Sequence, residues 1–194
     1  MASLSRARYD PVAVVLHWTM ALGIFALIGV GLAMKHAGLP KMRVIQLFQL
    51  HKSIGIVILL LAAARLAWRF ARPAPPLPDA LPAVERNAAH ATHAALYLFM
   101  LALPLTGWAD VSTSPLNIPT VLFGIMPWPN IPFLADLPDK APIHAVFVAA
   151  HKYGAYALIA VLAGHVGGAL RHAVKGDVPL ARMSLFGRVP ENGK

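Results

Sequence analysis

Four long apolar stretches, separated by basic and proline-rich segments, dominate this chain. A membrane-spanning helix needs about 20 mostly apolar residues, and residues 12–34, 44–68, 87–108 and 143–172 each meet that length. Of the 194 residues, 58% are hydrophobic and only 13% are charged, whereas about a quarter are charged in ordinary soluble domains. We therefore predict an all-α integral membrane protein in which residues 1–194 form a single membrane domain, a four-transmembrane-helix bundle.

The basic residues lie at the ends of the apolar stretches rather than on one surface, so the net charge of +9 does not indicate nucleic-acid binding. If both termini share one side of the membrane, that side carries eleven Lys and Arg residues and the other side carries six. Positive charge accumulates on the cytoplasmic side of membrane proteins. We therefore expect both termini to be cytoplasmic.

Histidine is the residue type that indicates a cofactor. The chain has no cysteine and nine histidines, so imidazole must hold any metal, and covalent haem attachment through Cys is excluded. His151 and His165 are 14 residues apart on the fourth predicted helix. This spacing is close to four helical turns, so both side chains project from one face about 21 Å apart along the axis. One helix can thus offer a ligand to each of two haems.

Depth in the membrane selects a partner for each of these histidines. His17 lies roughly one turn inside the first predicted helix, at the depth of His165, and His51 lies about two turns inside the second, at the depth of His151. We predict two haem irons with paired axial histidines, His17 with His165 at the inner haem and His51 with His151 at the outer haem. Hydrogen bonding between helices is the alternative role of such buried histidines. Ionisable residues inside a membrane are costly and usually functional, which favours the haem interpretation.

Basic residues accompany both predicted haems. Arg65 and Arg69 share a helical stripe with His51 and reach the level of the inner haem, where cations would pair with the haem propionates. Anchoring at the cytoplasmic surface is an equally open role for these arginines. Lys52 and Lys152 each follow a predicted outer ligand. We expect their ammonium groups to reach the surface or a propionate and to attract a small anion.

The remaining histidines receive peripheral roles. His90 and His93 start the third predicted helix and lie shallower than His17, so we place them at the rim, near a quinone head group or a propionate. His36, His144 and His172 are interpreted as surface or interface residues.

The connection of residues 112–142 is unusually long and rich in proline. Its apolar piece, residues 118–128, is too short and too interrupted by proline to cross the membrane. We expect this outer connection to form an interfacial flap over one haem. A disordered loop is the alternative.

Several of these motifs together resemble the bacterial cytochrome b561 family. The resemblance rests on His17-Trp18, His51-Lys52-Ser53-Ile54-Gly55 with Arg65, His90-x-x-His93, His151, His165 and the tail segment Leu180-Ala181-Arg182-Met183. It covers nearly the whole chain. The histidine set is its specific part, and the tail is its weak part.

The resemblance implies a multi-pass protein of the bacterial inner membrane that holds two haems b through His17, His51, His151 and His165 and exchanges electrons with ubiquinone. One family member is a superoxide oxidase, so the resemblance also implies a quinone-linked oxidoreductase that converts periplasmic superoxide to dioxygen, with Lys52 steering the anion together with Lys152. The alternative is a haem b electron-transfer subunit that docks to a separate dehydrogenase or a periplasmic redox partner. Two imidazoles per iron leave no open coordination position, which favours electron transfer over oxygen binding.

Overall fold

The computed structural model describes residues 8–77, 81–175 and 182–183. Within these ranges the chain forms four long helices, a small hairpin and one short helix. Their order is α1 (Pro11–His36), α2 (Lys41–Ala71), α3 (Ala83–Thr113), β1 (Thr120–Leu122), β2 (Met126–Trp128), α4 (Pro132–Ala135) and α5 (Ala141–Val174). All four long helices are long and apolar enough to cross a membrane. The prediction of four membrane-spanning helices is thus confirmed at the level of length and composition.

Proline and side-chain capping define where the long helices begin. Asp10 caps α1 by accepting a hydrogen bond from the Val12 amide at 2.9 Å. Pro40 precedes α2, Pro82 precedes α3, and Pro142 lies in the first turn of α5. The first turn of a helix tolerates proline because its amides have no partner inside the helix.

Every long helix extends beyond its predicted bounds, and α3 does so most. It begins at Ala83 instead of residue 87 and ends at Thr113 instead of residue 108. Its last turn is held by side chains, because Ser112 Oγ donates to the Trp108 carbonyl at 2.7 Å and Thr113 Oγ1 donates to the Ala109 carbonyl at 2.9 Å. Hydropathy identifies the apolar middle of a helix, so it does not predict the additional residues at the two ends of α3.

The long helices pack in a row, α1 on α2, α2 on α3 and α3 on α5. In the described part of the chain, α5 makes no extensive backbone contact with α1 or α2. A hydrophobic cluster fills the middle of the bundle and consists of Met20, Ile24, Ile58, Ala62, Leu103 and Leu158. The fourth predicted span, α5, which carries two of the predicted ligands, is therefore positioned chiefly by α3.

The connection between α3 and α5 forms a cap at one end of the bundle. Strands β1 and β2 pair in antiparallel fashion, and the Phe123 amide at their turn donates to Ser53 Oγ on α2 at 2.9 Å. On the other side, Trp108 Nε1 donates to the Pro129 carbonyl at 2.9 Å, and the Ile131 amide donates to Ser112 Oγ at the same distance. We call this end of the bundle the hairpin side and the opposite end, where α1 begins and α5 ends, the terminal side.

Some residues used in the sequence-based predictions lie outside the described ranges. These are Leu180 and Ala181 of the tail motif and the basic residues Arg6, Arg188 and Lys194. Arg182 and Met183 of the same motif lie within the described ranges.

Candidate functional site

Two pairs of histidines link α5 to α1 and α2, the helices with which its backbone makes no extensive contact. On the terminal side, the ring centres of His17 and His165 lie 6.2 Å apart with an interplanar angle of 70°. On the hairpin side, the ring centres of His51 and His151 lie 6.1 Å apart with an interplanar angle of 80°. The structure thus brings together the same four side chains in the same two pairs that depth in the sequence suggested.

The separation of the rings fits a metal ion between two imidazoles. A metal–imidazole nitrogen bond is about 2.0–2.1 Å long, and the ring centre lies about 1.1 Å behind the nitrogen, so two opposed ligands place their ring centres about 6.2–6.4 Å apart. The observed 6.2 and 6.1 Å are close to this value. Direct hydrogen bonds between the paired imidazoles would instead require ring nitrogens about 3 Å apart. The donor set therefore fits a bis-histidine haem at each pair.

The ring of His151 is held from behind by α3. Its Nδ1 lies 3.0 Å from the Leu103 carbonyl and 3.4 Å from Thr106 Oγ1. A metal-binding histidine commonly uses its second nitrogen to donate to a carbonyl, which fixes the tautomer and leaves the other nitrogen for the metal. The contact with Leu103 O therefore leaves Nε2 as the nitrogen of this ring that is available to a metal.

A glycine on each neighbouring helix lies against the hairpin-side pair. A Cβ at Gly107 would lie 3.0 Å from His151 Cε1, and a Cβ at Gly31 would lie 3.6 Å from His51 Cε1. Only the first distance is too short for ordinary contact. The Nδ1 atom of His51 is buried and has no hydrogen-bond partner among the described residues.

Arg65 lies beside the terminal-side pair. Arg65 lies close enough to His17 and His165 for their charges to interact, and its Nη1 donates to the Ala13 carbonyl at 2.9 Å. A cavity next to it, at the terminal side of α1 and α2, is lined by Tyr9, Asp10, Ala13, Arg65, Trp68, Arg69, Arg72, residues 73–75 and Tyr97. Arg65 and Arg69 thus line one cavity on the terminal side, and their pairing with haem propionates stays a prediction.

His93 lies nearer to the terminal-side pair than its depth in the sequence suggested. The residue is exposed, and its ring centre lies 5.3 Å from that of His165, so it lies at the edge of this pair, and its role near a quinone head group or a propionate stays a prediction. Helix α3 begins at Ala83, which places His93 ten residues into the helix instead of six. Among the described residues, no group of three or more His, Asp or Glu side chains could hold one metal ion. His93 is consequently a neighbour of the pair and not a third ligand.

The two lysines predicted to steer an anion have different surroundings. Lys52 Nζ donates to the Pro119 carbonyl at 3.1 Å, which ties this ammonium group to the connection that caps the hairpin side. Lys152 is exposed, and its ammonium group lies 5.0 Å from the centre of the Tyr153 ring. Only Lys152 therefore has its ammonium group at an open surface.

Sequence reasoning missed the part of α3 that supports His151. Pro104 lies inside this helix, and three residues later Gly107 leaves room for the imidazole. Proline and glycine inside a predicted span were the available signal, because both change how a transmembrane helix packs. The presence of Pro104 and Gly107 in the sequence does not identify the side chain that packs against Gly107.

Comparison with known proteins decides the family. The model of the family described as prokaryotic cytochrome b561 matches residues 8–184. The chain belongs to the prokaryotic cytochrome b561 family. It is also 33% identical over 178 residues to cytochrome b561 homolog 2 of Escherichia coli (strain K12), covering 91% of this chain and 90% of that protein.

Membership of the cytochrome b561 family carries several properties to this chain. It is a multi-pass bacterial membrane protein that binds haem b and functions in electron transfer. The resemblance stated from the sequence motifs is thus confirmed. The histidine pairs lie inside the matched region.

Proposed function

We propose that this cytochrome b561 carries two haems b, one held by His17 and His165 and the other by His51 and His151. One observation carries the proposal: both imidazole pairs join α5 to helices that lie beyond its main packing partner α3, and their ring centres are 6.2 and 6.1 Å apart, the separation expected for a metal between two imidazoles. Two imidazoles that were hydrogen-bonded to each other would have their ring centres closer together. Two imidazoles that both bound one metal ion would have the separation seen here.

Each haem, when bound, supplies a reversible one-electron carrier whose iron has no open coordination position. His17, His165, His51 and His151 would hold the haems through their imidazole nitrogens, and α3 orients the ring of His151 through the Leu103 carbonyl. Arg65 and Arg69 provide positive charge on the terminal side, which would pair with carboxylates there. The apolar cluster around Met20 and Leu158 separates the two levels and excludes water between them.

We further propose that the electrons come from superoxide and reduce ubiquinone. Two superoxide anions each lose one electron and become dioxygen, and ubiquinone takes up both electrons and two protons to give ubiquinol. In this proposal the protein lies in the bacterial inner membrane with the terminal side cytoplasmic and the hairpin side periplasmic. Lys52 and Lys152 would then attract the anion on the periplasmic side, where Lys52 acts as a fixed charge and Lys152 as an exposed one.

A pyridine haemochrome assay tests the haem assignment. We expect two haems b per chain in the wild type and one in each of His17→Ala, His51→Ala, His151→Ala and His165→Ala. His144→Ala is the control, because His144 pairs with Asp110 at 3.2 Å and lies outside both pairs. Loss of haem in the control alone, or one haem per wild-type chain, would refute the assignment.

Stopped-flow measurement of superoxide decay, with ubiquinone present or absent, tests the proposed reaction. We expect decay that depends on quinone supply, slows in Lys152→Ala, and slows further when Lys52→Ala is added. Lys52→Arg keeps the charge and should restore much of the rate, and Lys41→Ala serves as a control at an exposed lysine on the same side of the bundle. If the rate of superoxide decay is independent of quinone and unchanged in the lysine variants, the protein does not oxidise superoxide. The haem assignment would not be affected by that result.

The alternative function is that of a haem subunit which docks to a separate redox protein. The cap on the hairpin side favours it, because Ile125 is 85% exposed and Phe133 is 73% exposed, and exposed apolar side chains of this size often mark contact surfaces. Purification from native membranes in mild detergent distinguishes the two functions. A redox protein recovered in equal amounts, together with slow superoxide decay, supports the docking role.

A further inference from the structure

The end of the described chain is attached to the terminal side at three separate places. The Arg182 carbonyl accepts from the Tyr9 amide at 3.3 Å. The Met183 carbonyl accepts from Trp18 Nε1 at 2.9 Å. Arg182 Nη2 donates to the Pro76 carbonyl, in the connection between α2 and α3, at 2.9 Å. Arg182 and Met183, which we call the strap, thus join the start of α1 to this connection.

The strap reaches the terminal-side pair through Trp18. The ring centre of Trp18 lies 5.2 Å from that of His17 in an edge-to-face arrangement. Trp18 is 45% exposed, so packing alone leaves its ring only partly confined. The hydrogen bond to Met183 fixes the indole and therefore fixes one wall against which the His17 ring rests.

The strap also buries a positive charge. Arg182 is only 4% exposed, and its guanidinium carbon lies 5.8 Å from the centre of the Tyr9 ring. Tyr9 in turn lines the cavity that contains Arg65, Arg69 and Arg72. Burying a guanidinium group is costly unless it gains compensating interactions. The Pro76 carbonyl and the Tyr9 ring are two of them, and they hold this charge next to a residue that lines the arginine-rich cavity.

We propose that the strap is a working part of the terminal-side haem site: Met183 positions Trp18 against His17, and Arg182 holds a fixed positive charge that raises the reduction potential of that haem. The inference rests on the proposed function, since it needs a haem at His17 and His165. Arg182 is a positioning and electrostatic residue here, not a ligand.

The direction of the effect follows from charge. Reduction adds one negative charge to the haem, and a nearby cation in a poorly polarisable environment stabilises the reduced form. An arginine held by the backbone of Pro76 and the ring of Tyr9 keeps its position during the redox change. Removing its charge should therefore lower the potential of the terminal-side haem and leave that of the hairpin-side haem nearly unchanged.

Redox titration of purified protein tests the electrostatic part. In a His51→Ala background, which retains one haem under the proposal, we expect Arg182→Gln to lower the midpoint potential and Arg182→Lys to restore it in large part. Arg171→Gln is the matched control, because Arg171 is a more exposed cation on the same side, paired with Glu85. An unchanged potential in Arg182→Gln, or an equal fall in Arg171→Gln, would overturn the inference.

Trp18→Phe tests the positioning part without removing a charge. It keeps an aromatic ring beside His17 and loses the donor to Met183. We expect the low-spin electron paramagnetic resonance signal of the terminal-side haem to shift or broaden, and that of the hairpin-side haem to stay the same. Trp108→Phe, which loses an equivalent bond to Pro129 on the other side, is the control. If the resonance signal of the terminal-side haem is the same in both variants as in the wild type, the strap does not position Trp18 against His17.

A cysteine cross-link separates failure of the strap from failure of the haem assignment. The chain has no cysteine, and the adjacent backbones of Tyr9 and Arg182 bring Tyr9→Cys and Arg182→Cys within the reach expected of a disulfide. A cross-link in protein that binds no haem would support the attachment of the strap and refute the haem proposal. Two haems per chain, with no cross-link and no potential shift, would refute the strap alone.

Discussion

Gly107 offers the sharpest test of the hairpin-side pair, because its missing side chain makes room for the ring of His151. A Cβ at this position would lie 3.0 Å from His151 Cε1 and 3.1 Å from Nδ1. Ordinary van der Waals contact begins at 3.4 Å. Gly107→Ala therefore places one methyl group 0.3 to 0.4 Å too close to the imidazole.

The ring cannot simply move away from this methyl group. Its Nδ1 is bonded to the Leu103 carbonyl at 3.0 Å, and its other side faces the partner imidazole of His51. Forcing an extra methyl group into a packed interior costs about 1–3 kcal/mol. Because 1.4 kcal/mol corresponds to a factor of ten in affinity, haem should bind to this pair roughly 5- to 150-fold more weakly.

The assay is haem stoichiometry by pyridine haemochrome at limiting and at ample haem supply. We expect Gly107→Ala to hold close to one haem per chain at limiting supply and to approach two when haem is ample. Gly31→Ala is the matched control, since its Cβ would meet the other imidazole of the same pair at an ordinary 3.6 Å. Wild-type haem content in Gly107→Ala at limiting supply, or equal loss in Gly31→Ala, would refute the reasoning.

Three further predictions concern the cap, the supporting helix and the arginines. Ser53→Ala removes the buried hydroxyl that accepts a hydrogen bond from the hairpin backbone. Because leaving that amide unpaired costs about 1–3 kcal/mol, amide hydrogen exchange over residues 120–128 should become faster. Unchanged exchange rates would contradict this prediction. Pro104→Ala restores a helical amide and should straighten α3. The Leu103 carbonyl that contacts His151 would then move, and the haem content of the His51–His151 pair should fall. Wild-type haem content in this variant would contradict the prediction. Arg65→Gln should lower the potential of the terminal-side haem in redox titration, and a shift confined to the other haem would contradict that.

Much of the bundle and the pairing of histidines could be predicted because both depend on short-range regularities. Apolar length identified four spans, and helical geometry put His151 and His165 on one face. Depth then selected His17 and His51 as partners, and the structure brings the same pairs together. Depth located His93 less well than the other histidines, because the argument requires the true start of α3 and hydropathy placed that start four residues late.

The supporting contacts could not be predicted, because they join segments far apart in the chain. Ser53 meets the hairpin 70 residues later, and Trp18 meets Met183 across 165 residues. A serine or a tryptophan near the end of a span has many possible partners. Only the folded arrangement shows which backbone group each one binds.

Helix α3 carries no predicted ligand, and the packing of the helices in a row explains why the bundle needs it. Directly packed helices have axes about 8–10 Å apart, which leaves little room for two imidazoles with a metal between them. Ligands to one iron must therefore come from helices that are not direct neighbours, and α5 is such a helix for both α1 and α2. It must be held by something else, and α3 is the helix that holds it. The proline, the glycine and the carbonyl that orient His151 all lie on α3, so the helix that supplies no ligand sets the position of the ligands on α5.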